Sequence, residues 1–147
     1  MAHARTTIRQ AFVDTLKGHT VSGDKVFDSR MYNIDESSLP SIIIFSNNEE
    51  ILTSTITVPR LQTRTLKITV ECYGKATNQV NKLMDDLTVE VEQLLYNSEA
   101  LKKLCKDCKL ESVEMHLNSN GDKPVALASL IFAVLYLTKE NNPTMNI

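Results

Sequence analysis

Several features on which catalysis and membrane insertion commonly depend are scarce in this sequence. Its four glycines, at positions 18, 23, 74 and 121, form no phosphate-cradling loop. Its three histidines are scattered and no Gly-x-Ser-x-Gly motif occurs, so no nucleophile paired with a base is indicated. The longest apolar stretch, residues 125–137, is shorter than the roughly 20 residues that span a bilayer. We therefore expect no enzymatic activity and no membrane partner.

The chain also lacks a strong excess of charge of either sign. Its formal net charge is −2 and its sequence pI is about 5.9. Proteins that bind duplex DNA usually carry a basic face and a high pI, so we expect no sequence-specific binding of nucleic acid. A length of 147 residues with 42% apolar side chains fits one globular domain that covers residues 1–147.

Only three cysteines are present, Cys72, Cys105 and Cys108. The odd number, and a start without an apolar export core, predict free thiols in a reducing compartment. Cys105 and Cys108 have Cys-x-x-Cys spacing, but a structural zinc site takes four ligands and no second pair exists. The redox motif requires a strand-to-helix setting that is not predicted here. We interpret both residues as small apolar fillers near the end of a short helix, and we expect no metal and no cofactor.

Helical periodicity marks three segments of the chain. Apolar residues recur at helical spacing in residues 4–17 and, most strongly, in residues 77–95. The acidic side chains of the second segment mark a solvated helix face, which we favour over a carboxylate metal site. A shorter helix is predicted for residues 99–106, with Ser98 as its N-cap.

Strand patterns precede, separate and follow the helices. Residues 41–46 are apolar on both faces, which is typical of a strand buried on both sides. The other predicted strands are residues 25–32, 51–58, 63–73, 113–117 and 125–138, with a helix as the competing interpretation of the last. Between and after them we predict a polar turn at 46–50, a loop tip at 59–64 and a loose polar tail from about 139. The fold class is α/β (α+β): a single domain with a mixed, mainly antiparallel sheet of four to six strands and helices packed on it.

One segment carries a family resemblance. It reads Val26-Phe27-Asp28-Ser29-Arg30 and, after three residues, Ile34-Asp35-Glu36-Ser37-Ser38-Leu39-Pro40-Ser41-Ile42-Ile43-Ile44-Phe45. A Phe-Asp-x-Arg sequence that leads to an acidic pair, followed by Leu-Pro and an aliphatic strand ending in an aromatic residue, resembles the tail-terminator family of lambda-like phages, also called minor tail protein U. The order of elements over roughly residues 6–137 is similar as well, whereas residues 105–108 and the polar end depart from the family.

The resemblance implies a structural virion protein. Members of the family are expected to form a hexameric ring that caps the tail tube, ends its polymerisation and offers a surface to the head. The implied partners are further copies of the chain, the tail-tube protein and a head-completion protein. The implied location is the end of the virion tail that faces the head, after assembly in the host cytoplasm. Two alternatives stay open: a head-completion or neck protein of the same virion, and a small cytosolic α/β enzyme or regulatory domain.

Four charged residues are candidates for interface contacts. Asp28 and Arg30 share one face of a predicted strand, where they form either a structural pair or a contact across a subunit boundary. Arg60 and Arg64 belong to the predicted loop tip, and arginine favours bidentate pairing with carboxylates of a partner. A solvated hairpin turn is the alternative interpretation of that tip.

Overall fold

The computed structural model describes residues 2–28, 40–75, 79–118 and 125–144. These ranges contain three helices and five strands. The helices are α1 (Ala4–Leu16), α2 (Val80–Tyr96) and α3 (Glu99–Leu104). The strands are β1 (Val26–Phe27), β2 (Ser41–Thr53), β3 (Leu61–Lys75), β4 (Asp107–Asn118) and β5 (Val125–Lys139).

The five strands form one sheet in the order β1-β2-β3-β5-β4. β1 runs parallel to β2, and the other neighbours are antiparallel. β3 and β5 pair along their whole lengths, from Leu61 opposite Lys139 to Lys75 opposite Val125. This mixed, mainly antiparallel sheet with helices packed on it confirms the predicted α+β fold class. Because β5 is a strand throughout, the helical interpretation of residues 125–138 is wrong.

The apolar core lies between α1, α2 and one face of the sheet. α1 buries Ile8, Phe12 and Leu16 on a single stripe, and α2 adds a second stripe centred on Leu87. The ring of Phe12 meets that of Phe132 edge-on, with the ring centroids 5.7 Å apart. The sheet contributes the alternating apolar residues of β3: Leu66, Ile68, Val70 and Cys72.

The helix layer is narrower than the sheet. α2 contacts β3 and β5, so the edge strand β4 extends beyond it. By register, Val113, Met115 and Leu117 lie on the same face as the core residues of β5, and yet all three are exposed. The sheet therefore has an apolar margin on its helix side that the described elements of the chain cover only in part.

The region between β2 and β3 differs most from its predicted form. Residues 46–50, expected to form a turn, continue β2 with a register irregularity between Ser46 and Asn48. The predicted strand 51–58 is wrong beyond Thr53, because residues 54–60 form the loop. A polar segment can remain in the strand here because the Glu49 carboxylate has hydrogen-bond partners on β3 and β5. Sequence periodicity does not show such cross-strand partners.

Two further differences concern short segments. Of the predicted strand 25–32, β1 covers Val26–Phe27, and residues 29–32 lie outside the described ranges. The placement of both cysteines near a helix end is correct for Cys105, the C-cap of α3, and wrong for Cys108, which lies in β4.

Beyond β5 the chain returns to α1, where the amide of Ala4 donates to the carbonyl of Pro143 at 2.9 Å.

Candidate interaction surfaces

A group of polar side chains, all buried except that of Arg5, joins three strands to the start of α1. We call Arg5, Glu49, Arg64, Tyr136 and Thr138 the Glu49 cluster. The Glu49 side chain is 6% exposed and accepts from Arg64 Nη1 at 2.7 Å and from Arg5 Nη1 at 2.9 Å. Its second oxygen accepts from the Tyr136 hydroxyl at 2.5 Å. The carboxylate is thus paired with charge and hydrogen-bonded on both oxygens.

Arg64 has its own set of partners inside the chain. Its Nε donates to Thr138 Oγ1 at 2.8 Å, and its Nη2 donates to Gln62 Oε1 at 2.9 Å. Its side chain is only 8% exposed. A charge is tolerated at such depth when it is paired and its donors are satisfied. The Glu49 cluster therefore ties the ends of β2, β3 and β5 to α1, which is a structural role.

The electrostatics of the Glu49 cluster favour an ionised Glu49 and a neutral His3. Burial alone raises the pKa of Glu49, but hydrogen bonds from Tyr136 and Arg64 and the charges of Arg5 and Arg64 outweigh it, so the net pKa lies below 4.5. The pKa of His3 is lowered from 6.5, first by burial and then by the charges of Arg5 and Arg64. His3 Nδ1 also accepts from the amide of Arg5 at 3.1 Å, an N-cap contact that requires an unprotonated nitrogen.

Stability is expected to fall in two steps as the pH is lowered. His3 and Glu49 both bind protons more weakly in the folded chain than in the unfolded chain. Their contributions to the free energy of unfolding are therefore fully present above the pKa values of the unfolded chain, and they are lost as the pH falls through the pKa values of the folded chain. The His3 step therefore begins below pH 6.5 and the Glu49 step below pH 4.5. Urea denaturation at a series of pH values from neutral to acid measures both steps.

The variant His3→Ser separates the two steps. Serine keeps a capping oxygen for the helix but does not titrate in this range. The upper step should flatten in this variant while the lower step remains. An unchanged upper step would contradict the assignment to His3.

Residues 51–60 form a projection that we call the hairpin arm. The pairing of β4 with β5 stops at Leu135, and the arm extends past this end of β4. The amide of Ser54 donates to the carbonyl of Leu61 at 2.7 Å, and the amide of Arg60 donates to Glu140 Oε1 at 3.0 Å. Four large apolar side chains of the arm are exposed: Ile51, Leu52, Ile56 and Val58. Leu52 is 70% exposed and Ile56 is 94% exposed. Grouped apolar exposure of this kind marks interaction sites.

A second apolar surface lies between α2 and the overhanging β4. A depression of about 530 Å³ is lined by apolar side chains of α2, β4 and β5: Leu95, Tyr96, Cys108, Leu110 and Phe132. Exposed charged residues, Glu92, Asp107 and Lys109, border it. We call this depression, together with Val113, Met115 and Leu117, the α2–β4 surface. β5 is the only strand that pairs with β4 within the described ranges, so the outer edge of β4 is open there.

The structure places the four predicted interface residues in different settings. Asp28 is exposed just after β1, and Arg30 lies outside the described residues. Arg60 is on the arm, and its Nη1 lies 3.4 Å from Glu140 Oε2. The placement of Arg64 on a loop tip is wrong, because it lies in β3 within the Glu49 cluster. The interface role of these residues stays a prediction.

The described parts of the chain contain no group of three or more His, Cys, Asp or Glu side chains that could hold a metal ion. Burial raises the pKa of the Cys72 and Cys108 thiols to about 12, and it also raises that of Cys105. These thiols therefore stay protonated near neutral pH, and protonated thiols are poor nucleophiles and metal ligands. In the same described ranges no helix is both long and apolar enough to cross a membrane.

Sequence periodicity missed both the Glu49 cluster and the apolar surfaces. Glu49 follows three polar residues, a pattern typical of turns, and Tyr136 reads as one more apolar residue of β5. The pattern of residues 51–58 does show four large apolar side chains, but it does not show that they are exposed in the folded chain. Only the sheet order shows that β4 is an edge strand.

Comparisons with known proteins identify the family of the chain. No curated protein sequence is similar enough to the chain to count as a match. The family model described as phage minor tail protein U matches residues 3–136, which includes all three helices, β1 to β4 and most of β5. The chain therefore belongs to the phage minor tail protein U family and is a structural component of a phage tail.

Proposed function

We propose that the chain is a tail terminator: copies form a closed ring, six by family resemblance, that caps the tail tube and ends its polymerisation. The opposite face of the ring then offers the surface to which a head-completion protein joins the head. The partners are thus further copies, the tail-tube protein and the head-completion protein. The role is architectural and involves no catalysis.

The observation that carries the proposal is the presence of two unlike apolar surfaces on one small chain. The hairpin arm projects at the end of β2 and β3, whereas the α2–β4 surface lies at the opposite edge of the sheet. A closed ring needs two such different patches on each subunit, because each contact joins one patch to the other. A lone monomer would leave both surfaces in water.

The Glu49 cluster and the thiols support a scaffold rather than an enzyme. Each polar group of the cluster is engaged with another part of the chain, and its carboxylate has no open side for a substrate. The α2–β4 depression is lined mainly by uncharged side chains and a protonated thiol, and its charged lining residues are exposed to solvent. An apolar surface of this kind, with exposed charged residues around it, is typical of the core of a protein–protein interface.

The length of assembled tail tubes tests the proposal. Purified tail-tube protein that is polymerising should stop growing when the chain is added, and electron microscopy should show a ring at one tube end. We expect the mean tube length to fall as the ratio of chain to tube protein rises. Tubes that grow to the same length with and without the chain would contradict the proposal.

The neck-protein alternative predicts a different outcome of the same mixture. A neck protein would leave growing tubes unaffected and bind only to tails that already carry a terminator, or to heads. Adding the chain to finished tails and to portal-bearing heads, followed by sedimentation, distinguishes the two positions.

A further inference from the structure

We propose that the hairpin arm of one copy docks on the α2–β4 surface of the next copy. Leu52 and Ile56 of the arm would lie against the uncovered apolar side chains of β4 and α2. This inference rests on the proposed ring and names the contact that would close it.

The arm cannot reach the α2–β4 surface of its own chain. β2 and β4 are separated in the sheet by β3 and β5, and neighbouring strands lie about 4.8 Å apart, so the two strands are about 14 Å apart. The arm is also fixed to residue 140, because Glu140 accepts from the amide of Arg60 and donates its own amide to the carbonyl of Arg60. Another copy must therefore supply the occupant.

The two surfaces match in chemistry. The arm carries no charged residue from Ile51 to Pro59. The α2–β4 depression is lined mainly by uncharged side chains, among them Gln93 and Asn97, and its three charged lining residues are exposed to solvent. A contact between the arm and the depression buries apolar area and leaves no unpaired charge inside the contact. Burying an unpaired charge would cost free energy. The depression has a volume of about 530 Å³, which is in the range that encloses a drug-sized molecule. It therefore has room for a side chain such as that of Ile56.

The backbone offers a second match. Within the described ranges β4 pairs only with β5, and residues 51–53 of the arm pair only with β3. Open strand edges of this kind accept an added strand through main-chain hydrogen bonds. The strand part of the arm, residues 51–53, can run beside β4 of the next copy, while the loop that follows it carries Ile56 to the apolar side chains of the α2–β4 surface.

Paired charge variants test the contact. The arm variant combines Leu52→Asp with Ile56→Asp, and the acceptor variant combines Val113→Asp with Met115→Asp. All four side chains are exposed in the single chain, so the fold should survive, which circular dichroism checks. Val21→Asp changes another exposed apolar residue, outside both surfaces, and is the matched control. Two carboxylates in an apolar contact should weaken self-association at least about a hundredfold.

Mixing the two variants gives the sharpest outcome. Each variant alone should sediment as a monomer, while the wild type and the Val21→Asp control form rings. The mixture should give a one-to-one dimer and nothing larger, because one intact arm still meets one intact acceptor surface. Variants that assemble like the wild type overturn the inference, and so does a mixture that stays monomeric.

Two other outcomes separate this inference from the proposed function. If the arm variant forms normal rings but no longer stops tube growth, the arm docks on the tube, and the inference is wrong while the terminator function stands. If the wild type neither forms rings nor limits tube length, both proposals fail together.

A cross-link provides a readout that adds no charge to either surface. With Ile56→Cys and Val113→Cys in one chain, a short bis-maleimide should join the arm of one copy to β4 of the next and give a ladder of covalent oligomers, because both new thiols replace exposed side chains. Either substitution alone should give no ladder. A double variant without a ladder, or a ladder in either single variant, contradicts the contact.

Discussion

Replacing Arg64 by methionine is expected to lower the free energy of unfolding by about 3–5 kcal/mol, the usual cost of breaking a buried ion pair from one side. Glu49 would keep its charge at 6% exposure after losing the guanidinium that lies 2.7 Å away. Arg5 remains as a partner, but it is 40% exposed and its charge is better screened. Urea denaturation at pH 7 measures the loss as a lower midpoint at an unchanged slope.

The matched control is Arg60→Met. Arg60 also pairs with a glutamate, but its side chain is 47% exposed and its Nη1 lies 3.4 Å from Glu140 Oε2. An exposed pair of this kind contributes at most about 1 kcal/mol. Similar losses in both variants would show that Arg64 is not a buried partner.

The double variant Glu49→Leu with Arg64→Met tests the cause. If the loss in Arg64→Met comes from the uncompensated carboxylate, removing both charges should recover much of it. A double variant that is less stable than either single change would instead assign the loss to packing.

The variant Phe12→Ala is expected to cost about 3–5 kcal/mol of unfolding free energy, as is usual for a fully buried phenylalanine. Phe12 is 0% exposed and its ring meets Phe132 on β5, so the change leaves a cavity between α1 and the centre of the sheet. Thermal and urea unfolding with two spectroscopic probes measure the loss.

Val21→Ala is the control for Phe12→Ala. Val21 is an exposed apolar side chain in the turn after α1, so its truncation should change stability by less than about 0.5 kcal/mol. A loss below about 1.5 kcal/mol in Phe12→Ala would mean that α1 does not anchor the core as described.

The elements that the sequence predicts well are those with a strong local period. α2 and β3 bury the residues that their patterns assign to one side, and Ser98 caps α3 by accepting from the amide of Leu101. These outcomes follow because side-chain periodicity directly reflects which face meets the core.

The predictions that were wrong depend on contacts between distant residues. Glu49 looks like part of a turn until Arg64 and Tyr136 are placed beside it, and Arg64 looks like a loop residue for the same reason. The surface that we propose as an acceptor depends on β4 lying at the sheet edge, and strand order is a property of the whole chain. The family resemblance supplied the tail assignment, but it assigned no residue to a contact.

The position of β5 in the sheet has a consequence for synthesis. β5 is the strand that joins β4 to β3, so neither β4 nor the α2–β4 surface can take its final form until residue 139 has left the ribosome. The hairpin of β2 and β3, by contrast, joins neighbours in the chain and can form early. A nascent chain therefore exposes its arm before its own α2–β4 surface has formed. Under the proposed contact, incomplete copies on one polysome could not link to one another in succession, and assembly of the proposed ring would begin only after the last strand of the subunit has been translated.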